Sequence, residues 1–182
     1  MKISSTKIHG CYEISPKIVS DPRGTFIKTF HKPSFDEAGL LSDFKEQYHS
    51  VSNQNVIRGL HFQIPPFDHA KLVYCTDSEV DDFVLDIRIG SPTYGEYFST
   101  KLNFQKGNMI YIPSGCAHGF CTSKKKATLI YNVTAIYNSD FDKGIRWDSA
   151  GINWPIEDPI ISEKDQSFPS FKNFSSPFRF RI

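Results

Sequence analysis

The stretch GNMIYIPSGCAHGF, residues 107–120, consists of two apolar runs separated by the turn residues PSG. Pro113 and Gly115 form the predicted turn, which directs His118 inward from the strand that follows. Similar short apolar or alternating runs recur between residues 70 and 137, with glycine, proline and asparagine in the breaks between them. This spacing is typical of antiparallel strands in a sandwich or barrel, and it predicts an all-β fold. The predicted strand segments are KLVYC (71–75), VDDFVLDI (80–87), EYFSTKLNF (96–104), MIYIP (109–113), HGFCT (118–122) and ATLIYNVTAIY (127–137).

The remaining segments complete one predicted domain, residues 1–182. HKPSFDEAGLL (31–41) predicts a short surface helix, because Ser34 precedes an acidic first turn and Gly39 is suited to end the helix. The tail after Pro155 is rich in proline, serine and phenylalanine. We expect this tail to pack on the barrel, because a disordered segment seldom holds so many apolar rings.

Composition excludes several classes of partner. The formal net charge of +1 over 182 residues gives no electrostatic reason to expect nucleic acid or a membrane as a ligand. The four cysteines form no C-x-x-C pair, and the first ten residues lack the apolar core of a secretory signal. We therefore expect a cytoplasmic protein with free thiols.

The stretch VIRGLHFQIPP, residues 56–66, carries an arginine and a histidine within an otherwise apolar strand pattern. Successive side chains of an extended strand alternate between faces, so Arg58 and Leu60 are predicted on one face and Gly59 and His61 on the other. A glycine next to His61 on the same face predicts room for a ligand there.

The spacing of Gly107, Pro113, Gly115 and His118 resembles the second motif of the cupin superfamily. Members of this superfamily are double-stranded β-helices, or jelly-roll barrels, and here a few short peripheral helices are expected as well. Many cupins hold a metal through an earlier H-x-H pair, which is absent because Phe62 and Gln63 follow His61. One or two imidazoles are too few for a stable metal site, so we expect no metal. The alternative is a metal-dependent cupin in which four histidines converge: His49, His61, His69 and His118.

A longer series of short sequence segments resembles the dTDP-4-dehydrorhamnose 3,5-epimerase family of nucleotide-sugar epimerases. The segments are IRGLHFQ, HAKLV, DIRIGSPTYG, IPSGCAHGF, GIRWD and ISEKDQ, which occur in that order over about residues 5–170. The resemblance implies a cofactor-independent isomerase that inverts C3 and, we expect, C5 of a nucleotide-linked 4-keto-6-deoxy sugar. Such a reaction serves deoxysugar or surface polysaccharide biosynthesis.

The reaction needs a base on one face of the sugar, an acid on the other and a cation near the C4 oxygen. His61 is the natural base, because an imidazole pKa of about 6.5 suits proton abstraction near neutral pH. The resemblance implies the same role for His61, with Asp165 orienting its ring and Lys71 facing the C4 oxygen. It also implies that Tyr131 delivers a proton from the opposite face, and the alternation along its strand points the Tyr131 ring inward.

The resemblance also implies substrate-binding residues. Arg58 would lie near the sugar or diphosphate, because its planar guanidinium can donate two parallel hydrogen bonds to phosphate oxygens. His118 would lie beside the carbonyl or the nucleotide base, with Asp82 as its partner or that of Lys71. Tyr137 corresponds to a second family tyrosine near the sugar.

DPRGTFIKTF, residues 21–30, resembles the family element D-x-R-G-x-F-x-E-x-F. In such enzymes this element reaches into the site of the neighbouring subunit. The resemblance therefore implies a homodimer with exchanged N-terminal strands, in which Arg23 contacts the diphosphate and Phe26 the sugar or base.

Three substrate-segment residues depart from the family pattern. Lys28 replaces the usual glutamate, Glu46 a glutamine and Tyr48 an asparagine. A charge change and a bulky ring in a binding site alter which ligand leaves no polar group unpaired. A GDP-linked sugar or a heptose is therefore an alternative to a dTDP-linked hexose.

The residues leave the reaction outcome open. A C3-only epimerase or a ketoisomerase would use the same catalytic set. A non-catalytic sugar-binding jelly roll is the remaining alternative, and it would be favoured if Asp165 lay far from His61.

Overall fold

In a computed structural model that describes residues 1–181, the chain forms mainly β-strands with short helices at the periphery. The strands are β1 (Lys2–Ser5), β2 (Tyr12–Ser15), β3 (Ile18–Asp21), β4 (Gly24–Ile27), β5 (Glu46–Ser52), β6 (Ile57–Gln63), β7 (Lys71–Cys75), β8 (Glu79–Asp86), β9 (Tyr97–Asn103), β10 (Met109–Ile112), β11 (Cys116–Cys121), β12 (Ala127–Val133) and β13 (Asp142–Gly144). The helices are α1 (Lys32–Glu37), α2 (Glu163–Ser167) and a 3-10 helix at Phe171–Asn173. Neither these helices nor any other helix within residues 1–181 is long and apolar enough to cross a membrane.

Two antiparallel sheets build the barrel. The six-stranded sheet has the order β1-β2-β10-β7-β12-β5, and the five-stranded sheet has the order β13-β6-β11-β8-β9. Consecutive strands repeatedly change sheet, as the step from β6 to β7 and the step from β7 to β8 show. The fold is the cupin-type jelly roll that the sequence predicts. Strands β3 and β4 form a separate two-stranded hairpin.

Successive side chains of a strand point to opposite faces of its sheet, so they belong to different apolar clusters. Val73 and Leu129 belong to the apolar cluster between the two sheets, together with Phe120. Leu72, next to Val73, points to the other side and packs with Phe35 of α1. Inward positions therefore repeat every second residue, as a pleated strand requires. The same alternation brings Lys71 and Tyr131 to the inner side of the six-stranded sheet.

The C-terminal segment covers the outer side of the five-stranded sheet. Phe178 is buried in an apolar cluster with residues of β6 and β11. The Phe62 ring lies 5.2 Å from that of Phe174 and 6.1 Å from that of Phe178. A parallel bridge joins Ile89 to Arg179. Aromatic side chains thus attach the C-terminal segment to the sheet, because their packing buries apolar surface that would otherwise be exposed to water.

Two boundaries differ from those predicted. Helix α1 begins at Lys32 with His31 as its N-cap residue, so Ser34 lies within the helix and its hydroxyl contacts the His31 ring. Pro33 near the helix start fits this boundary, because its missing N–H is not needed there. Strand β12 ends at Val133, so Tyr137 lies on a connecting segment beyond the strand.

The alternation predicted for β6 is wrong, because the strand contains a bulge. His61 pairs with His118 of β11, but Arg58 pairs with Phe120, so the two residues Gly59 and Leu60 of β6 match the single residue Gly119 of β11. A bulge of this kind re-aims the side chains on either side of it. Arg58 and His61 consequently line the same cavity, while Leu60 packs in the outer cluster.

Gly59 in the bulge allows two backbones to approach. It has a φ of +141°, and a Cβ atom built on it would lie 2.7 Å from the Gly119 Cα. The space beside Gly59 is therefore filled by β11, and the prediction that this glycine leaves room for a ligand is wrong. Only glycine fits such a left-handed, crowded position.

Candidate active site

Two adjoining cavities open at the end of the barrel where β6, β7 and β12 meet. The larger has a volume of about 310 Å³ and the smaller about 170 Å³. Tyr48, His61 and Lys71 line both, so the cavities share a wall. The smaller cavity is also lined by Ser50, Arg58, His118, Phe120 and Tyr131. The larger is also lined by Glu46, Phe62, Gln63, His69, Val133, Ala135, Tyr137, Asp142 and Lys164.

Asp165 fixes the ring of His61. The His61 Nε2 lies 2.9 Å from the Asp165 Oδ1, and the other carboxylate oxygen accepts the Gly59 backbone N–H at 3.0 Å. Asp165 stays in place because its own N–H donates to the Ser162 hydroxyl at the start of α2. The bulge at Gly59 thus provides both the re-aimed histidine and a donor for its carboxylate partner.

Asp165 is ionised at neutral pH. Its burial raises the carboxyl pKa, but the His61 hydrogen bond, the His61 charge and the Gly59 N–H outweigh burial and hold the pKa below the usual value. An ionised carboxylate only accepts hydrogen bonds, so the ring proton of His61 sits on Nε2. In the neutral His61 ring, Nδ1 therefore carries the free lone pair.

Lys71 supplies a buried cation. The side chain is 6% exposed, and its Nζ donates to the His61 carbonyl oxygen at 3.2 Å. Burial lowers the pKa of Lys71 to about 8, although the charges of Asp142 and Asp82 oppose the change. The ammonium is charged at neutral pH and loses its proton at mildly alkaline pH.

Tyr131 lies at the centre of β12 and is 6% exposed. Its hydroxyl is 3.3 Å from the Ser50 hydroxyl on β5. Burial raises the pKa of the phenol above its usual value. A protonated phenol therefore faces the same cavity as His61, and this juxtaposition allows one group to take a proton while the other gives one.

His118 forms a second imidazole–carboxylate pair beside His61. Its Nε2 lies 2.8 Å from the Asp82 Oδ2, and both side chains are buried. The second Asp82 oxygen has no hydrogen-bond partner in the described chain. Burial raises the pKa of Asp82, and the His118 charge only partly opposes this effect.

Arg58 reaches the smaller cavity from the bulged strand. Its Nε donates to the Ser52 hydroxyl at 2.9 Å, and a terminal nitrogen donates to the Val51 carbonyl at 3.3 Å. Both acceptors lie on β5. These bonds use only part of the guanidinium, which keeps further donors for a ligand.

Polar contacts join several residues that line the larger cavity. The Tyr137 N–H donates to Glu46 at 2.7 Å, and the Tyr137 hydroxyl lies 3.4 Å from Asp142. Lys164 also donates to Asp142, at 2.5 Å. Glu46, predicted to bind substrate, therefore also holds the backbone of another predicted binding residue.

Four predicted binding residues line neither cavity, and one of them, Asp82, is buried and hydrogen-bonded to His118. The other three lie near the N-terminal hairpin. Arg23, Phe26 and Lys28 are exposed on or just after the β3–β4 hairpin. Arg23 pairs with Asp21 of the same hairpin at 2.6 Å. Within one chain, the structure does not bring these residues to His61.

The predicted site does not include four polar cavity residues, namely Ser50, Gln63, Asp142 and Lys164, and it includes His69 only as a metal ligand. Ser50 was detectable, because it lies two residues after Tyr48 on one strand and so shares its face. Burial lowers the pKa of His69 to about 3, so this ring is neutral. Asp142 and Lys164 come from segments without a periodic pattern, and nothing in the sequence signals their meeting.

The four-histidine metal site does not form. Within the described residues, no three side chains of histidine, cysteine, aspartate or glutamate are grouped to hold a metal ion. His61 and His118 each engage a carboxylate instead.

Comparison with known proteins gives a consistent family. The sequence profile described as dTDP-4-dehydrorhamnose 3,5-epimerase matches residues 5–173. A dTDP-4-dehydrorhamnose 3,5-epimerase of Shigella flexneri is 37% identical over 168 residues, covering 91% of this chain and 93% of the relative. A dTDP-4-dehydrorhamnose 3-epimerase of Streptomyces niveus is 36% identical over 169 residues, covering 91% of this chain and 82% of the relative.

A solved structure agrees over the whole length. The dTDP-6-deoxy-D-glucose-3,5-epimerase of Legionella pneumophila, in complex with dTDP-4-keto-L-rhamnose, matches with a TM-score of 0.94 at 31% identity. The match covers 100% of this chain and 99% of that one.

Proposed function

The chain belongs to the dTDP-4-dehydrorhamnose 3,5-epimerase family, and from this membership we propose that it inverts C3 and C5 of a dTDP-linked 4-keto-6-deoxy sugar. It is an isomerase of deoxysugar biosynthesis. The observation that carries the residue roles is that His61, oriented by Asp165, and the protonated Tyr131 line one cavity with Lys71.

His61 starts the reaction by removing a proton next to the ketone. The C3 and C5 protons of a 4-keto sugar are acidic, because the electron pair left behind is shared with the C4 oxygen as an enolate. The Nδ1 lone pair of His61 accepts the proton, and Asp165 stabilises the resulting imidazolium. Lys71 places its ammonium near the C4 oxygen, where a positioned charge offsets enolate formation.

Tyr131 completes the inversion. Its phenol gives a proton to the same carbon from the face opposite His61, so the carbon is re-formed with inverted configuration. Solvent then returns a proton to the phenolate and removes the proton from His61, which restores both groups. No redox change occurs, and the same cycle acts at the second carbon.

The remaining cavity residues bind the substrate. Arg58 has free donors for the diphosphate or sugar, and His118, held by Asp82, contacts the carbonyl or the nucleotide base. Tyr48, Glu46 and Tyr137 line the wall of the larger cavity.

The homodimer is also proposed. The β3–β4 hairpin exposes apolar residues, with Phe26 64% and Val19 48% exposed. Arg23 and Lys28 extend from the same hairpin without reaching their own cavities. An arrangement in which this hairpin enters the site of the second subunit buries Phe26 and brings Arg23 to the diphosphate. A cytoplasmic location fits the four free, buried cysteines.

The nucleotide is dTDP in this proposal. The relatives named above act on dTDP-linked sugars, which favours dTDP over GDP and a hexose over a heptose. Glu46 and Tyr48 depart from the family pattern, yet both have contacts within the chain, with the Tyr137 N–H and the Tyr131 ring. Inversion at C3 alone is the second candidate, because the Streptomyces niveus relative is a 3-epimerase.

Deuterium incorporation tests the proposal. The protein is incubated in D₂O with dTDP-4-keto-6-deoxyglucose and, separately, with GDP-4-keto-6-deoxymannose. We expect deuterium at C3 and C5 of the dTDP sugar with inversion at both carbons, and slower reaction of the GDP sugar. Deuterium at C3 alone identifies the 3-epimerase, and no exchange with either sugar overturns the proposed function.

A further inference from the structure

Tyr48 lies directly against the proposed proton donor. It is on β5, the edge strand of the six-stranded sheet, and pairs across the strands with Tyr131. The two rings are stacked, with centroids 4.8 Å apart and an interplanar angle of 17°. Direct cross-strand pairs on one face interact strongly, and aromatic pairs do so with a defined geometry.

Two polar residues also contact Tyr131 on its cavity side. The Ser50 hydroxyl, also on β5, lies 3.3 Å from the phenol oxygen. The His118 ring meets Tyr131 edge-on at 6.0 Å. Tyr48 thus covers one face of the Tyr131 ring, while Ser50 contacts its hydroxyl and the His118 ring lies steeply inclined to it.

Exposure shows which ring shields the other. Tyr48 is 40% exposed and Tyr131 only 6%. Tyr48 also lines both cavities, so its ring lies where substrate and Tyr131 meet. Removing this ring opens the Tyr131 face to the larger cavity and lets the phenol swing away from the reacting carbon.

We propose that Tyr48 is a positioning residue, which holds the Tyr131 phenol in the orientation needed to protonate the sugar from the face opposite His61. This inference rests on the proposed function and adds a residue that acts through Tyr131. Loss of Tyr48 should impair protonation more than proton abstraction, because His61 lies on the other sheet and is held separately by Asp165 of α2.

The separation of the two steps provides the readout. When inversion is slow, the His61 imidazolium exchanges the abstracted proton for a deuteron of D₂O and returns that deuteron to the face from which it took the proton. The sugar then gains deuterium without changing configuration. The ratio of exchange with retained configuration to inversion therefore measures how well Tyr131 is placed.

Tyr48→Asn replaces the stacked ring by a polar side chain, and Tyr48→Leu replaces it by an apolar one. We expect the exchange-to-inversion ratio to rise by about 10- to 100-fold in both, because misplacement by about 1 Å costs up to 10² in rate. kcat for inversion should fall more than KM rises. Tyr48→Phe keeps the ring and should restore the wild-type ratio. Tyr94→Asn, which removes an exposed tyrosine from a distant loop, is the matched control and should change neither quantity.

An unchanged exchange-to-inversion ratio in Tyr48→Asn and Tyr48→Leu, with only KM increased, would overturn the inference. Tyr48 would then be a substrate contact. Crystals of Tyr48→Asn give an activity-independent result. We expect the Tyr131 hydroxyl to move or to occupy two positions, and a single position within about 0.5 Å of the wild type would contradict the proposal. If wild-type protein neither exchanges nor inverts the dTDP sugar, the proposed function fails, while the crystal comparison still decides whether Tyr48 positions Tyr131.

Discussion

The barrel interior and the N-terminal hairpin hold their functional side chains in different ways. Inside the barrel, His61 bonds to Asp165, and Tyr131 contacts both Ser50 and Tyr48. On the hairpin, the Arg23 side chain is 90% exposed, and within residues 1–181 its one ion pair is with Asp21, two residues away. An exposed pair of this kind is screened by water and contributes little to position.

This difference indicates that the barrel residues carry out the proposed reaction, whereas the hairpin residues contribute to substrate binding. The interior groups are oriented by one chain and are ready to act on a ring that enters the cavity. The hairpin groups gain a fixed position only from something outside the chain, which in our proposal is the second subunit. Substitutions inside the barrel should therefore act on kcat, and substitutions on the hairpin should act on KM and across subunits.

The largest expected effect comes from the base. His61→Asn should lower inversion by about 10²- to 10⁴-fold, the usual contribution of a general base, while the fold is kept. Steady-state inversion of the dTDP sugar and a thermal unfolding curve measure the two properties. His9→Asn, at an exposed histidine beside Phe180, is the matched control. A His61→Asn variant within tenfold of wild type would remove His61 from the mechanism.

Lys71→Met should reduce kcat by about 10²- to 10³-fold, because the enolate loses its positioned charge. The wild-type kcat/KM should fall as pH rises through about 8, where Lys71 loses its proton, and this alkaline limb should disappear in Lys71→Met. A pH–rate profile of both proteins tests this. Lys172→Met, on the exposed 3-10 helix, is the control.

The same substitution should raise stability. The Lys71 pKa of about 8 lies below its ordinary value of 10.5, so between these values the unfolded chain binds more protons than the native protein. Wild-type stability should therefore increase from pH 8 to 10.5, with no contribution to the slope below pH 8. Lys71→Met should melt at a higher temperature at pH 7 and lack this increase. A lower melting temperature would contradict burial of an unfavourable charge.

Asp165→Asn should lower kcat by about 10- to 100-fold, since the His61 ring loses the carboxylate that orients it and stabilises its charged form. Because the Asp165 pKa is lowered in the native protein, its stabilisation is present above the ordinary value of 3.8 and is lost as pH falls through the native pKa. The difference in melting temperature between wild type and Asp165→Asn should accordingly shrink in acid. Asp148→Asn, an exposed acid paired with Arg146, is the control.

The smallest effect belongs to the hairpin. Arg23→Ala should raise KM several-fold, about 3- to 10-fold, and leave kcat within about twofold, because it removes one contact to the diphosphate. Mixed subunits sharpen the test. Refolding equal amounts of Arg23→Ala and His61→Asn together should give about two- to fivefold more activity at low substrate than the same proteins refolded separately and then mixed, because one site in each mixed dimer has both residues intact. Equal activity of the two preparations would place Arg23 and His61 in the same subunit.

The sequence predicts the architecture well because the signals are local. Turn residues and alternation place β7 at residues 71–75 as observed, and alternation gives the inward direction of Tyr131. The family resemblance, carried by an ordered series of short sequence segments, is confirmed by the profile match. Each of these signals depends on neighbouring residues or on their order.

The failures come from contacts between distant segments. The bulge at Gly59 arises because Gly119 of another strand approaches its backbone, and no period within β6 reveals that approach. The same bulge turns Arg58 and His61 to one side. The contact of Glu46 with the Tyr137 backbone likewise joins residues 91 positions apart, which the sequence pattern treats as separate binding residues.

The most direct test of two groups acting from opposite faces is deuterium incorporation by Tyr131→Phe and His61→Asn with dTDP-4-keto-6-deoxyglucose. We predict that Tyr131→Phe loses inversion by at least about 10²-fold yet still washes deuterium into sugar of unchanged configuration, whereas His61→Asn loses both reactions. Equal loss of exchange and inversion in Tyr131→Phe, or inversion that persists in His61→Asn, would contradict the two-face mechanism.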